Sequence, residues 1–317
     1  MRWLTIATGS STSLQLSTEG SKGEMLEASG NLSLDVFGFF QAEGGFSIEK
    51  RTDTLLLSDA TDTTPASQIA VDLLTIGGAG IDAFAGLNGG SEEALGLSLG
   101  DVNFGLMLAT EQGGAQRQFT SLKAEAGSIA FVGLDGFVAS GTNVVVEINR
   151  GVAGVGGAAD VVADHGAMPL LVTTSPDSSI ELDMDGAKGE ITRASGAIDL
   201  NLYNFFSLNG ELAFEQSTSS ITLADNPDTA DVDEAASPVT VNLLTIGGKN
   251  VSAFVGMNGE RDSEGALSSD AFGIDLDTAT FGVAVMTEKG GAARSWSSVQ
   301  ASASGLSFVG IGGLTVA

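Results

Sequence analysis

Cysteine is absent from this chain of 317 residues, and histidine occurs once, as His165. A disulfide framework, a thiolate metal site, a cysteine nucleophile and a multi-histidine metal centre are thereby excluded. Cations are scarce too: 13 Lys plus Arg stand against 40 Asp plus Glu, a formal charge of −27. Phosphate neutralisation needs clustered bases, so nucleic acid is excluded as a partner and anionic membrane surfaces are disfavoured. Trp3, Trp296 and Tyr203 are the only tryptophans and tyrosine, too few for an aromatic carbohydrate platform. Five prolines do not make a proline-rich stalk. No apolar run approaches the roughly 18 residues of a membrane helix, so membrane insertion is not expected. The opening Met1-Arg2-Trp3-Leu4-Thr5-Ile6-Ala7 meets Gly9-Ser10-Ser11 too soon to read as a signal peptide, which places any export signal outside this chain.

Glycine is in excess. Its 44 residues are about twice the usual share and lack the three-residue period of collagen, which points to tight turns and close backbone approaches. With 43% hydrophobic residues the chain can bury a large core, in about two domains or one elongated body.

Self-comparison reveals two copies of one long unit. Ala28-Ser29-Gly30-Asn31-Leu32-Ser33-Leu34 recurs as Ala194-Ser195-Gly196-Ala197-Ile198-Asp199-Leu200, an offset of 194 − 28 = 166. Leu73-Leu74-Thr75-Ile76-Gly77-Gly78 recurs from Leu243 (243 − 73 = 170), and Phe131-Val132-Gly133 from Phe308 (308 − 131 = 177). Two insertions must separate these anchors, one near Ala224 to Glu234 and one near Glu260 to Gly265. Both are acidic, as solvated loops tolerate and packed strands do not. The units divide as 1–166 and 167–317, or run together as one body. Ala317 aligns with Ser140, before a strand-like stretch that the first copy possesses, so a segment of a longer repetitive protein is expected.

Period-two alternation dominates. Ile198, Leu200, Leu202, Phe206, Leu208, Leu212 and Phe214 all fall on even positions, with polar residues between several of them. A two-residue hairpin at Asn209-Gly210 would reverse that parity, yet parity persists there, across Glu43-Gly44-Gly45 and across Asp135-Gly136. Bending at glycine with the same face kept inward is what the corner of a parallel β-solenoid requires. The sequence therefore predicts an all-β chain, a parallel β-solenoid or β-helix. Tandem antiparallel β-sandwiches are the alternative, because longer turns also preserve parity.

The phrases Ala28 to Phe40, Leu243 to Gly248, Arg294-Ser295-Trp296 and Ser128 to Gly136 resemble the tandem repeats of very large bacterial surface or secreted proteins. The resemblance covers nearly the whole chain. It implies a structural or adhesive role, extracellular or at the cell surface, and carries no catalytic motif.

Candidate chemistry is sparse. Gly96-Leu97-Ser98-Leu99-Gly100 matches a nucleophile elbow, with Asp160 and His165 following in hydrolase order, but no helix is evident after it and the second copy has no equivalent. Gly77 to Phe84 fits one calcium nonapeptide without the tandem copies a site needs. Glu181-Leu182-Asp183-Met184-Asp185-Gly186 resembles part of an EF-hand loop, but Thr192 stands where the closing glutamate belongs. The acidic insertion supplies the candidate calcium ligands Asp225, Asp228, Asp231, Asp233 and Glu234; otherwise no cofactor is required. Glu111 with Arg117 recurs as Glu288 with Arg294, and Lys22 with Glu24 as Lys188 with Glu190, a duplication that suits ion pairs carried by each unit.

No enzymatic activity is expected. The leading expectation is a structural module of an extracellular repetitive protein, extending end to end into a fibre, filament or stalk and self-associating with like chains or its parent. A calcium-dependent adhesin module binding a surface ligand through acidic loops, and a β-helical glycan-active enzyme, are the alternatives.

Overall fold

The computed structural model describes residues 2–18, 24–61, 63–155, 161–223, 238–262, 265–290 and 293–310. The described residues are all-β. A first hairpin pairs β1 (Arg2–Ala7) with β2 (Ser13–Thr18). The body is one open sheet of eleven strands. Its first six are β3 (Met25–Val36), β4 (Phe40–Leu56), β5 (Gln68–Leu87), β6 (Leu95–Glu111), β7 (Gln118–Val132) and β8 (Phe137–Val152). After an intervening segment holding β9 (Leu170–Ser175) and β10 (Ser178–Leu182), the sheet resumes with β11 (Ile191–Leu202), β12 (Phe206–Ile221), β13 (Val239–Met257), β14 (Phe272–Glu288) and β15 (Ser295–Val309). Each strand pairs with its neighbour in sequence, except that β11 pairs with β8 across that segment.

Every ladder is antiparallel. The chain therefore does not wind in the parallel coils that conserved parity suggested. Two local devices keep the parity instead. Three-residue loops, Phe37 to Phe39 and Tyr203 to Phe205, pair Val36 with Phe40 and Leu202 with Phe206, residues four apart and so on one face. Asn209-Gly210 and Gly44-Gly45 lie inside β12 and β4, beside register shifts toward β13 and β5. Tandem sandwiches are not formed either, because the β8–β11 ladder carries one sheet from the first copy into the second.

The repeat is written in the backbone. β11 starts 191 − 25 = 166 residues after β3, and β14 and β15 start 272 − 95 = 295 − 118 = 177 after β6 and β7. The second insertion falls in the connection between β13 and β14, and the first, near Ala224 to Glu234, lies outside the described residues. Left-handed residues recur as well: Phe37 (φ 54°) with Tyr203 (53°), Asn88 (55°) with Asn258 (56°), and Asp101 (51°) with Thr278 (40°). Thr278 is β-branched, a type that seldom adopts such a φ. It sits in a row of mid-strand irregularities, with Gly80, Asp101, Asn143 and Asn250, where register shifts re-aim the side chains of successive strands.

The 161–190 segment covers part of one face. Its β9–β10 hairpin turns one side inward: Val172, Thr174 and Leu182 are buried while Leu171 points outward. A 3-10 turn, Gly186–Lys188, follows, capped by Asp185 accepting from the Ala187 N–H. Beneath the segment lies the core cluster, in which Leu55, Leu73, Met107 and Phe119 of the sheet meet Ala163, Val172, Leu182 and Met184.

Candidate functional site

The register sorts the eleven strands into two faces, one of which carries long apolar rows. One row across the whole sheet reads Val36, Phe40, Ala85, Leu97, Phe131, Ala139, Leu200, Leu208, Ala253, Leu276, Leu306. A second reads Gly30, Phe46, Gly78, Phe104, Ala124, Val146, Ala194, Phe214, Ile246, Val283, Val299. The pairing of β3 with β4 runs without interruption, so Phe40 and Phe46, six residues apart, share a face and so do the two rows. Neither row contains a charged or polar side chain. Phe104 lies over Gly78, and Phe281 over Gly248, filling the space that those glycines leave open. Among the described residues nothing covers this face. Val299 is 68% exposed, Leu306 51%, Leu97 42% and Ile246 38%. Unpartnered apolar area on this scale marks an interaction surface.

The opposite face is mixed, apolar under the 161–190 segment and polar toward one end. At one end Asp35, Gln41, Ser98, Ser140, Asp199, Asn209 and Ser252 share a row with Phe84 and Ala130. Asp35 accepts from the Gly38 N–H at 2.8 Å and from Gln41 Nε2 at 2.9 Å, bonds that hold its carboxyl below the usual carboxylate range.

Beneath the 161–190 segment, His165 and Ser121 are buried at 1% and 0% exposure. Their Nε2 and Oγ atoms lie 2.8 Å apart. Ser121 Oγ donates to Asn149 Oδ1 at 3.0 Å, and Asn149 Nδ2 donates to the Ala163 carbonyl at 2.8 Å. The serine proton is thus committed to Asn149, so His165 Nε2 donates to Ser121 and the imidazole is neutral. Burial pushes the His165 pKa down to about 4, against the pull of Asp164 and Asp183. A histidine that donates to a serine cannot serve as its base. The network fastens the segment to β7 and β8.

The sequence-predicted residues fall in separate places. Ser98 lies inside β6, opposite Phe84 and Ala130, with no helix after it, and the histidine meets Ser121 instead. Asp160 lies outside the described residues, as do Asp225, Asp228, Asp231, Asp233 and Glu234. In the nonapeptide-like stretch Asp82 Oδ1 accepts the Asp101 N–H at 3.0 Å and so caps the mid-strand irregularity. Asp183 pairs with Lys123 at 3.0 Å. Among the described residues no three His, Asp or Glu side chains converge as a metal site. Glu111 does pair with Arg117, and Glu288 with Arg294; Lys188 pairs with Glu215 at 3.1 Å rather than with Glu190, which accepts the Gly151 N–H. Sequence reasoning missed Ser121 and Asn149, which carry no local motif. It also missed the extent of the apolar face, although the even-numbered apolar series was its signal.

No protein-family model, curated protein or solved structure matches the chain.

Proposed function

We propose that this chain is a structural module of an extracellular repetitive protein: a strip of β-sheet that lengthens by adding strands at its edges and gains thickness by packing its apolar face on another sheet. One observation carries the reading. The β8–β11 ladder joins one repeat to the next by ordinary antiparallel pairing, with residues Ile191 to Leu202 set against Asn149 to Phe137, so the repeat boundary is itself an edge-to-edge joint.

Both outer strands support further joints. Among the described residues β3 pairs only with β4 and β15 only with β14. β15 is 15 residues long and contains no proline and no charged residue, lacking the guards that normally blunt an edge. Ten strand steps separate β3 from β15, so they run in the same direction. An antiparallel joint between copies therefore needs a twofold axis, β15 to β15 or β3 to β3, and alternating the two gives an open filament. The apolar faces of two strips would pack about 10 Å apart, as in a sandwich. Sedimentation over a concentration series tests this: the parent chain self-associates, and Ala303→Lys, which charges the β15 edge, weakens association at least about tenfold, the ratio equivalent to about 1.4 kcal/mol. A chain that stays monomeric at millimolar concentration overturns it.

The apolar face also favours a second reading, a section of membrane-barrel wall. On β5 the apolar positions run from Leu74 to Leu87, and 13 rises of about 3.4 Å at the roughly 40° tilt of barrel strands span about 34 Å, enough to cross the roughly 30 Å of a bilayer core. Flotation with neutral phosphatidylcholine vesicles separates the two: the sheet-packing reading expects the chain to stay with the aqueous fraction, and the barrel-wall reading expects it to float.

A further inference from the structure

In the first copy, two glycines that face each other across β5 and β6, Gly77 and Gly105, form the floor on which the β9–β10 hairpin rests. A Cβ at Gly77 would stand 2.0 Å from the Thr173 carbonyl oxygen, and one at Gly105 would stand 2.4 Å from Ile180 Cγ2. Glycine weakens the interior of a strand, so a cross-strand pair of them signals close approach by another backbone. Here the hairpin supplies that approach.

The second copy keeps the same floor, and among the described residues nothing lies on it. Gly247 (247 − 77 = 170) faces Gly282 (282 − 105 = 177) across β13 and β14. A Cβ at Gly282 would meet nothing within 4 Å, and at Gly247 only the Phe281 carbonyl at 4.0 Å. Around this pair lies an open groove of about 720 Å³, lined by Ala284, Ser298 and Gln300 among others. Phe119 and Ser121 are buried under the segment, whereas their counterparts Trp296 (296 − 119 = 177) and Ser298 are half-buried and exposed. Leu73 is buried and Leu243 only half-buried.

We infer that this groove over β13–β15 is a docking site for a second β-hairpin of the β9–β10 kind, brought by another polypeptide segment. The occupant places Val, Leu or Thr at the alternate positions where Val172, Thr174, Ile180 and Leu182 meet the first floor. Two differences tune the site. Ala284 replaces Met107, which leaves room for a larger apolar side chain on the incoming hairpin. Gln300 replaces Lys123, the partner of Asp183, so the occupant carries a neutral residue where the first hairpin carries that aspartate. Unlike the edge-pairing reading, this inference rests on the interior of the sheet and stands or falls separately.

Trp296 reports occupancy. In a Trp3→Phe background, a synthetic peptide of residues 161–190 with Asp183→Asn is titrated into the full chain, and acrylamide quenching of Trp296 is followed. The expected result is a saturable, severalfold loss of quenching with a blue shift, abolished by Gly282→Val, a substitution that leaves the thermal midpoint of the unliganded chain unchanged. As a second measurement, residues 141–190 are appended after Ala317, which supplies the strand and the hairpin in cis, and Trp296 becomes protected without peptide. Quenching that stays unchanged in both experiments, or protection that survives Gly282→Val, overturns the proposal.

Discussion

Arg117 closes the β6–β7 connection by gripping Glu111 with two parallel bonds, Nε to Oε2 and Nη2 to Oε1, each 2.9 Å. Arg294 holds Glu288 across the β14–β15 connection in the same way, at 2.9 and 3.0 Å. In both, the carboxylate also accepts the arginine's own N–H at 3.3 Å. The clip therefore fixes a turn twice, and the arginine holds each glutamate below its ordinary pKa.

Such a carboxylate contributes stability above its unfolded pKa and loses that contribution as pH falls through the lower folded value. Glu111→Gln is expected to lower the melting temperature by about 2 °C at pH 7, the shift that 1 kcal/mol gives in a chain of this size, and to have a smaller effect near pH 3. Thermal melts at the two pH values check this.

His165 acts in the same direction, in a higher pH window. Its folded pKa of about 4 lies below the ordinary 6.5, so the unfolded chain binds the proton more readily and stability declines as pH falls from 6.5 toward 4. A shift of that size amounts to about 3 kcal/mol once pH lies below both values. Urea melts from pH 7 to pH 4 are expected to show this decline, and His165→Gln, which has no such titration, to flatten it.

The glycine floors give a contrast within one chain. Gly77→Ala places a methyl against the Thr173 carbonyl and is expected to lower stability by at least about 2 kcal/mol through displacement of the hairpin. Gly247→Ala meets open space and is expected to be neutral or slightly stabilising, because alanine is less free than glycine in the unfolded chain. Parallel denaturation curves decide it.

Much of this architecture was legible. The offsets 166, 170 and 177 are the spacings of strands in the two copies, because the length changes fall between strands and leave the strands themselves intact. All-β structure followed from alternation. The pairing direction did not, because parity reports which face a residue occupies and not which way its neighbour runs. A three-residue loop such as Phe37 to Phe39 preserves parity as well as a solenoid corner does, and the mid-strand irregularity at Asp101 hides the continuity of the apolar face along β6. The Ser121–Asn149–His165 network joins residues 28 and 44 positions apart that only the sheet register brings together.

Fibre diffraction with electron microscopy of the concentrated chain tests the central claim, growth by strand addition, most directly. The account predicts filaments with a meridional spacing near 4.8 Å, strands lying across the axis, and loss of those filaments in Ala303→Lys. Dispersed particles at every concentration, or filaments indifferent to that substitution, would contradict it.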